Sequence, residues 1–266
     1  MIDGVASSPS DSLDYVYAIG RITPRFPSVG VEKEFAQAMA RSETAGLNDS
    51  EALRNVLSER RNRYLARQMN WVFSVQGVDT YLVVPRDPAD IDQFIETVRA
   101  SPNGNDMDAI VGIVAPIAPQ GLRVVSGPIV VVDVVYAFDS ESIIASIPRP
   151  EGFEEERFEA AAREVFSRIV QISDNVGAMA EHRAVNYLVL RYPAVYALVA
   201  EQYARDAALD AVTVVRSRLR GSRNIFDVIF AFRNRSTDFV EKFFVRVDVT
   251  EEFPFLLNKL SSYFDR

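Results

Sequence analysis

The chain has 266 residues, of which 48% are hydrophobic and 25% charged, and its formal net charge is −8. This composition is typical of a globular protein and excludes a disordered or fibrous one, and the acidic balance disfavours general nucleic-acid binding, which needs a basic surface. There is no cysteine, which excludes disulfides, thiolate nucleophiles, iron–sulfur clusters and cysteine zinc sites.

The first residues contain no targeting signal. Residues 1–8 lack the basic region and the apolar core of a signal peptide. The longest apolar stretch, 184–200, is interrupted by Asn186, Arg191 and Pro193 and is too short and too polar to cross a membrane. We therefore expect a cytoplasmic protein with no membrane partner.

Strands and helices alternate irregularly in the first half of the chain. Residues 1–12 are rich in Ser and Asp and indicate a flexible tail. The elements predicted after it are, in chain order, a strand at 15–20, helices over 31–45 and 49–69, a hairpin of strands 71–75 and 80–84, a short helix from Asp87 to about Ala100, and strands at 109–115 and 128–138.

The second half begins at a proline-rich joint near 148–152. Its predicted elements are a helix over 153–174, a helical stretch over 178–206 that Pro193 kinks or restarts, strands at about 211–220, 225–234 and 240–249, and a terminal helix near 251–264. The sequence therefore predicts an α+β fold with a mixed, mainly antiparallel sheet and flanking helices. We expect residues 13–266 to form a single domain, with 13–150 and 151–266 as its candidate lobes.

Most catalytic signatures are absent from the sequence. It has no Gly-x-Ser-x-Gly elbow, no phosphate-binding loop and no Gly-x-Gly-x-x-Gly turn. His182 is the only histidine, so a multi-histidine metal site is excluded. It is a candidate general base, but a surface or capping histidine is the favoured interpretation. The sequence predicts no cofactor and no metal, and it favours a protein that is not an enzyme.

Two sets of arginines are candidates for binding a peptide. Arg60, Arg63 and Arg67 share one face of the predicted helix 49–69. Arg216, Arg218 and Arg220 alternate along the predicted strand 211–220 and so share a face. Either set could hold an acidic peptide through forked hydrogen bonds, although a hydrated surface is the commoner reason for such charges.

Several segments resemble a known family. Tyr15–Ile22 and its continuation through Pro24–Ser28 and Glu32–Gln37, together with Tyr81–Asp90, Gly127–Val131 and Tyr136–Asp139, are similar to the C-terminal domain of the cyanobactin maturation proteases of the PatG type. The resemblance covers residues 15 to about 150. It implies a place in the maturation of ribosomally made peptides. That domain has no established activity, so the resemblance supplies no catalytic residues.

Three functions remain open on the sequence. The first is a non-catalytic accessory or scaffolding protein that binds a precursor peptide, a modifying enzyme or a second copy of itself. The second is a cryptic enzyme acting on a modified peptide, with Arg21, Arg25, Arg86, Asp87 and His182 as its candidate polar residues. The third is a structural homodimerisation domain, which would require a large apolar interface.

Overall fold

The computed structural model describes residues 14–42, 46–115, 127–147, 149, 154–172, 174–219 and 221–264. These residues form two β-sheets, one closed and one open, and eight α-helices. The fold is therefore α+β with mainly antiparallel pairing, as the sequence predicts. The predicted tail, 1–12, lies outside the described residues.

The first sheet closes into a five-stranded barrel in the order β1-β2-β3-β5-β4. All neighbouring strands are antiparallel except β3 and β5, which run parallel. A fifth strand that returns between the third and the fourth gives the Greek-key order of OB-type barrels. The strands are β1 (Tyr15–Arg25), β2 (Asn70–Val75), β3 (Val78–Pro85), β4 (Asp106–Val114) and β5 (Ile129–Asp139).

The predicted hairpin is confirmed. Gln76 and Gly77 join β2 to β3, and both have positive φ angles, 51° and 80°. A two-residue turn of this kind matches the twist of the strands it connects. The strands predicted at 15–20, 109–115 and 128–138 are also confirmed as β1, β4 and β5.

Four helices pack with the barrel into one core: α1 (Val29–Arg41), α2 (Asp49–Ser58), α3 (Arg63–Gln68) and α4 (Ile91–Glu96). The single helix predicted over 49–69 is wrong. The chain is extended at Glu59 and passes through a 3₁₀ turn, Arg60–Asn62, before α3 begins. The buried Asn62 amide stabilises this break, because it donates to the Val56 carbonyl at 3.0 Å.

The second sheet has the order β10-β8-β7-β6, with β9 also paired to β8. Its strands are β6 (Ala207–Arg216), β7 (Ile225–Asn234), β8 (Val240–Asp248), β9 (Phe255–Leu256) and β10 (Ser261–Ser262). The three long strands confirm the predicted meander. The terminal helix near 251–264 is wrong, because this segment instead returns along β8 as the two short strands.

Four more helices complete the fold: α5 (Ser140–Ser146), α6 (Glu155–Val170), α7 (Ala180–Arg191) and α8 (Ala194–Ala204). The last three confirm the helical segments predicted over 153–174 and 178–206, and Pro193 separates α7 from α8. They bury one face of the second sheet in a core that includes Phe230, Phe232 and Val245. None of the helices within the described ranges has the length and apolarity needed to cross a membrane.

The helical layer also contacts the barrel. Ile19 and Ala109, on β1 and β4, belong to the same core as the second sheet. The Tyr17 amide donates to the Gly177 carbonyl at 2.9 Å, and the buried Asn186 amide donates to the Tyr17 carbonyl at 2.8 Å. The joint between the two sheets is therefore held by both apolar packing and buried hydrogen bonds.

Candidate functional site

A groove of about 570 Å³ lies across one end of the second sheet. We call it the arginine groove. It combines guanidinium groups with aromatic rings, and a carboxylate occurs among them at one position only. The residues that line it are Val215, Arg216, Arg218, Asp227, Phe244, Arg246, Ser262, Tyr263 and Phe264.

The strands of the sheet bring these side chains together. Phe244 and Arg246 lie two residues apart on β8 and so share a face, whereas Val245 between them turns into the buried core. Val215 lies directly opposite Asp227 across the β6–β7 pair. The groove therefore lies on the sheet face opposite the helices.

The C-terminal segment completes the groove. The Tyr263 amide donates to the Lys242 carbonyl at 2.8 Å, which fixes the end of the chain along β8. The Tyr263 ring then packs edge-on against Phe244, with centroids 5.6 Å apart. Phe264 follows with 79% of its surface exposed. An apolar side chain this exposed beside arginines is available to contact a ligand.

One arginine of the groove is neutralised and two are not. Arg246 donates to both Asp227 oxygens, at 2.6 and 3.0 Å, and this hydrogen bonding raises the pKa of Arg246. Its guanidinium also lies 5.5 Å from the centroid of the Phe244 ring. Arg216 and Arg218 form no ion pair or hydrogen bond with a described residue. The groove therefore carries a local positive charge on a chain whose net charge is −8.

The structure changes the geometry predicted for the second arginine set. The strand predicted over 211–220 ends at Arg216. The prediction that Arg216 and Arg218 share one face of a strand is therefore wrong. Arg218 lies in the loop that follows, and both residues still line the same groove. Arg220 lies outside the described residues.

The first arginine set lies entirely on the C-terminal side of the break in the predicted helix. Arg60 lies in the 3₁₀ turn, whereas Arg63 and Arg67 lie in α3. Arg63 pairs with Asp92, and the Arg67 Nε donates to the carbonyl of Pro88 at 3.4 Å. Two of the three guanidinium groups are therefore already engaged, and peptide binding by this set stays a prediction.

Arg21 and Arg25 lie on β1 and serve the barrel. The Arg21 guanidinium donates to the carbonyls of Asn103 and Asp106, at 3.0 and 2.9 Å. Arg25 forms an ion pair with Asp79 on the neighbouring hairpin at 2.7 Å. Both groups therefore hold loops and strands of the barrel in place.

Asp87 and His182 lie in different parts of the fold. The Asp87 carboxylate accepts a hydrogen bond from the Ala89 amide at 2.8 Å and caps the turn before α4. His182 lies in α7 with 7% of its surface exposed, and burial lowers the pKa of its imidazole. The described residues contain no group of three or more acidic or histidine side chains that could hold a metal ion.

Arg86 lies where the barrel meets the second sheet. Its guanidinium is 2.6 Å from the Asp133 carboxylate and 3.4 Å from that of Glu252. Burial, and then the adjacent Asp133 carboxyl, raise the pKa of Glu252 to about 7. One arginine thus serves two carboxyl groups at this junction.

Most residues of the arginine groove were not identified as candidates from the sequence. Phe244 and Arg246 alternate with buried residues on β8, which is a signal for a shared outer face. Tyr263 and Phe264 could not be placed, because they were assigned to a terminal helix that does not form. Their approach to β8 depends on pairing between segments that are distant in sequence.

The described residues thus define an α+β protein that joins an OB-type barrel to an open sheet bearing an arginine groove. The PatG domain model matches residues 15–214, and the chain belongs to this family. A solved structure entitled "PatG Domain of Unknown Function" has the same fold, with a TM-score of 0.75 and 19% sequence identity over 94% of this chain and 98% of that chain. No curated protein matches this chain. The family resemblance found in the sequence is confirmed.

Proposed function

We propose that this chain is a non-catalytic accessory protein of ribosomal peptide maturation, and that it holds an acidic peptide segment in the arginine groove. The observation that carries the proposal is the placement of Arg216 and Arg218. Both line a groove with exposed aromatic surface, and neither is paired with a described residue. The PatG family membership favours a peptide of a cyanobactin-type pathway as the partner.

The chemistry of the groove supports an acidic peptide. A guanidinium group presents parallel N–H donors that match a carboxylate, and such charge-assisted bonds are stronger than neutral ones. Phe244, Tyr263 and Phe264 supply apolar surface next to these charges. A segment that combines Asp or Glu with an aromatic or aliphatic residue would use both properties.

Charge reversal in the groove tests this proposal. We expect the double variant Arg216→Glu/Arg218→Glu to bind an acidic peptide more than about tenfold more weakly, since two charge-assisted contacts become repulsive. The probe is a fluorescein-labelled synthetic peptide in which two Asp residues flank a Phe. Fluorescence anisotropy measures its dissociation constant, and the same peptide with Asn in place of Asp measures the contribution of charge.

Arg60→Glu is the matched control for this experiment. Arg60 is exposed and pairs with no described residue, and it lies outside the groove. This variant changes the net charge in the same direction and should leave the affinity within about twofold of the original, because distant exposed charges are screened. Equal loss of affinity in both variants, or equal binding of the Asp and Asn peptides, would overturn the proposal.

A further inference from the structure

We propose that the bound peptide is extended and adds as a new strand to the open edge of β6, with its acidic residues at the Arg216 end. This inference rests on the proposed function and specifies how the peptide is held. The sheet order places β6 at the edge, with β7 as its partner among the described strands. The strand leads directly into the groove through Val215 and Arg216.

Hydrogen-bond alternation shows which backbone groups are available. The Ser217 amide donates to the carbonyl of Ile225, so Ser217 faces β7. In an antiparallel pair, inward and outward residues alternate. Thr213 and Val215 therefore also face β7, whereas Val212, Val214 and Arg216 direct their amides and carbonyls away from the sheet. No described residue bonds to these outward groups.

Only the C-terminal half of this edge is free. At the other half, Arg168 donates to the Asp210 carbonyl at 3.3 Å, and Arg233 pairs with the Asp210 carboxylate at 3.0 Å. A bulge between Leu209 and Ala211 further interrupts the ladder there. A peptide strand would therefore pair with residues 211–216.

The free half of β6 lacks the usual protection of an exposed edge. Edge strands are commonly blocked by lysine, proline or bulges, because an open row of amides and carbonyls pairs with other chains. Residues 211–216, Ala-Val-Thr-Val-Val-Arg, contain no such device before the terminal arginine. Such an edge fits recognition by strand addition, in which backbone bonds supply affinity and alternate side chains supply specificity.

The side chains indicate what the added strand would present. Val212 and Val214 pack against the helical core, so Thr213 and Val215 are on the outer face. Arg216, the last residue of β6, lines the groove together with Val215. Neighbouring strands lie about 4.8 Å apart. Alternate peptide side chains would therefore lie beside Val215, within reach of Arg216 and Arg218. The ligand class is an extended peptide with acidic residues at alternate positions.

Charge distinguishes this occupant from a second copy of the chain. In a symmetric β6–β6 pair, the acidic side chain that the strand offers to Arg216 and Arg218 is Asp210. That carboxylate is already paired with Arg233. A second copy would therefore leave the arginines of both copies without a free carboxylate, whereas an acidic peptide supplies one.

N-methylation of the peptide tests strand addition directly. An added strand bonds through every second residue. We expect methylation of alternate amides to weaken binding by about tenfold or more, and methylation of the amides between them to have little effect. The probe is the Asp-containing peptide described above, extended with alternating Val and Thr and methylated at one amide at a time.

Val214→Pro is the corresponding change in the protein. It removes an outward amide at an edge position where proline is tolerated. We expect it to weaken peptide binding by a similar factor. Val214→Thr keeps the amide and should bind as the original does. Circular dichroism verifies that both variants fold, and sedimentation measures their association state.

Three outcomes overturn the inference. Binding that needs Arg216 and Arg218 but is insensitive to Val214→Pro and to every methylation would exclude strand addition and leave the proposed function standing. If none of the peptides binds, both strand addition and the proposed function are overturned. A dimer that Val214→Pro converts to a monomer, and that the peptide does not displace, would assign the edge to a second copy.

Discussion

At the scale of single residues, the junction of Arg86, Asp133 and Glu252 links stability to pH. Arg183 lies on the helical side of this junction and donates to the backbone carbonyls of Val249 and Glu252. The side chain of Glu252 has 14% of its surface exposed. Ionisation of Glu252 places a second negative charge beside that of Asp133, and the Arg86 guanidinium compensates for only one of these two charges.

We expect the free energy of unfolding to fall as the pH rises from about 4.5 to 7. The pKa of Glu252 rises from 4.5 to about 7 on folding, so the folded state binds the proton more tightly than the unfolded state in this range. The stabilisation is fully present below pH 4.5 and is lost above pH 7. It is on the order of 2 kcal/mol. Glu252→Gln should remove this dependence and stabilise the protein at pH 8.

Urea unfolding at a series of pH values measures this effect. Glu251→Gln is the control, because Glu251 is adjacent to Glu252 but exposed. A pH profile for Glu252→Gln that parallels that of the original protein would show that Glu252 is not the titrating group.

At the scale of elements, the sequence pattern predicted correctly those helices and hairpins that depend on contacts between residues close in sequence. The β2–β3 hairpin was predictable, because strand residues flank a turn with glycine at its second position. Helix α6 was predictable from its apolar periodicity and its acidic first turn. Both elements are specified by residues that lie within the element itself.

The two mispredicted elements have different causes. The break after α2 rests on the buried Asn62, which carries no local breaker signal such as Gly or Pro. The segment 251–264 forms strands because the outer edge of β8 is available to it, not because of its own pattern. Two of the three aromatic residues of the arginine groove, Tyr263 and Phe264, lie in this mispredicted segment.

Gly177 shows how one loop position fixes the contact between α7 and the barrel. Its φ angle is +75°, and a Cβ atom there would lie 2.4 Å from the Tyr17 carbonyl oxygen. We expect Gly177→Ala to destabilise the fold by about 3 kcal/mol, since it adds both left-handed backbone strain and a clash. Chemical denaturation measures the change.

Gly104→Ala is the matched control for that prediction. A Cβ atom at Gly104 meets no atom within 4 Å, and its φ is not in the left-handed region. Its effect should stay within about 0.5 kcal/mol. Equal stabilities for the two variants would mean that the close approach of Gly177 to β1 does not occur in solution.

At the scale of the whole molecule, the barrel and the candidate site belong to different sheets. An OB-type barrel is found in proteins of many activities, so its presence does not define a function. The positive groove lies on the second sheet, whose edge strand leads into it. The helical layer between them shares its core with β1 and β4, so the site is carried on a sheet that the rest of the fold supports.

Amide hydrogen exchange of the protein with and without the acidic peptide tests the central claim most directly. We expect saturating peptide to slow exchange by about tenfold or more at Val212, Val214 and Arg216, whose amides are otherwise free. Thr213 and Val215 should change little, since they already bond to β7. Protection that is confined to the α3 region around Arg67, or no protection on β6 when the peptide is bound, would contradict it.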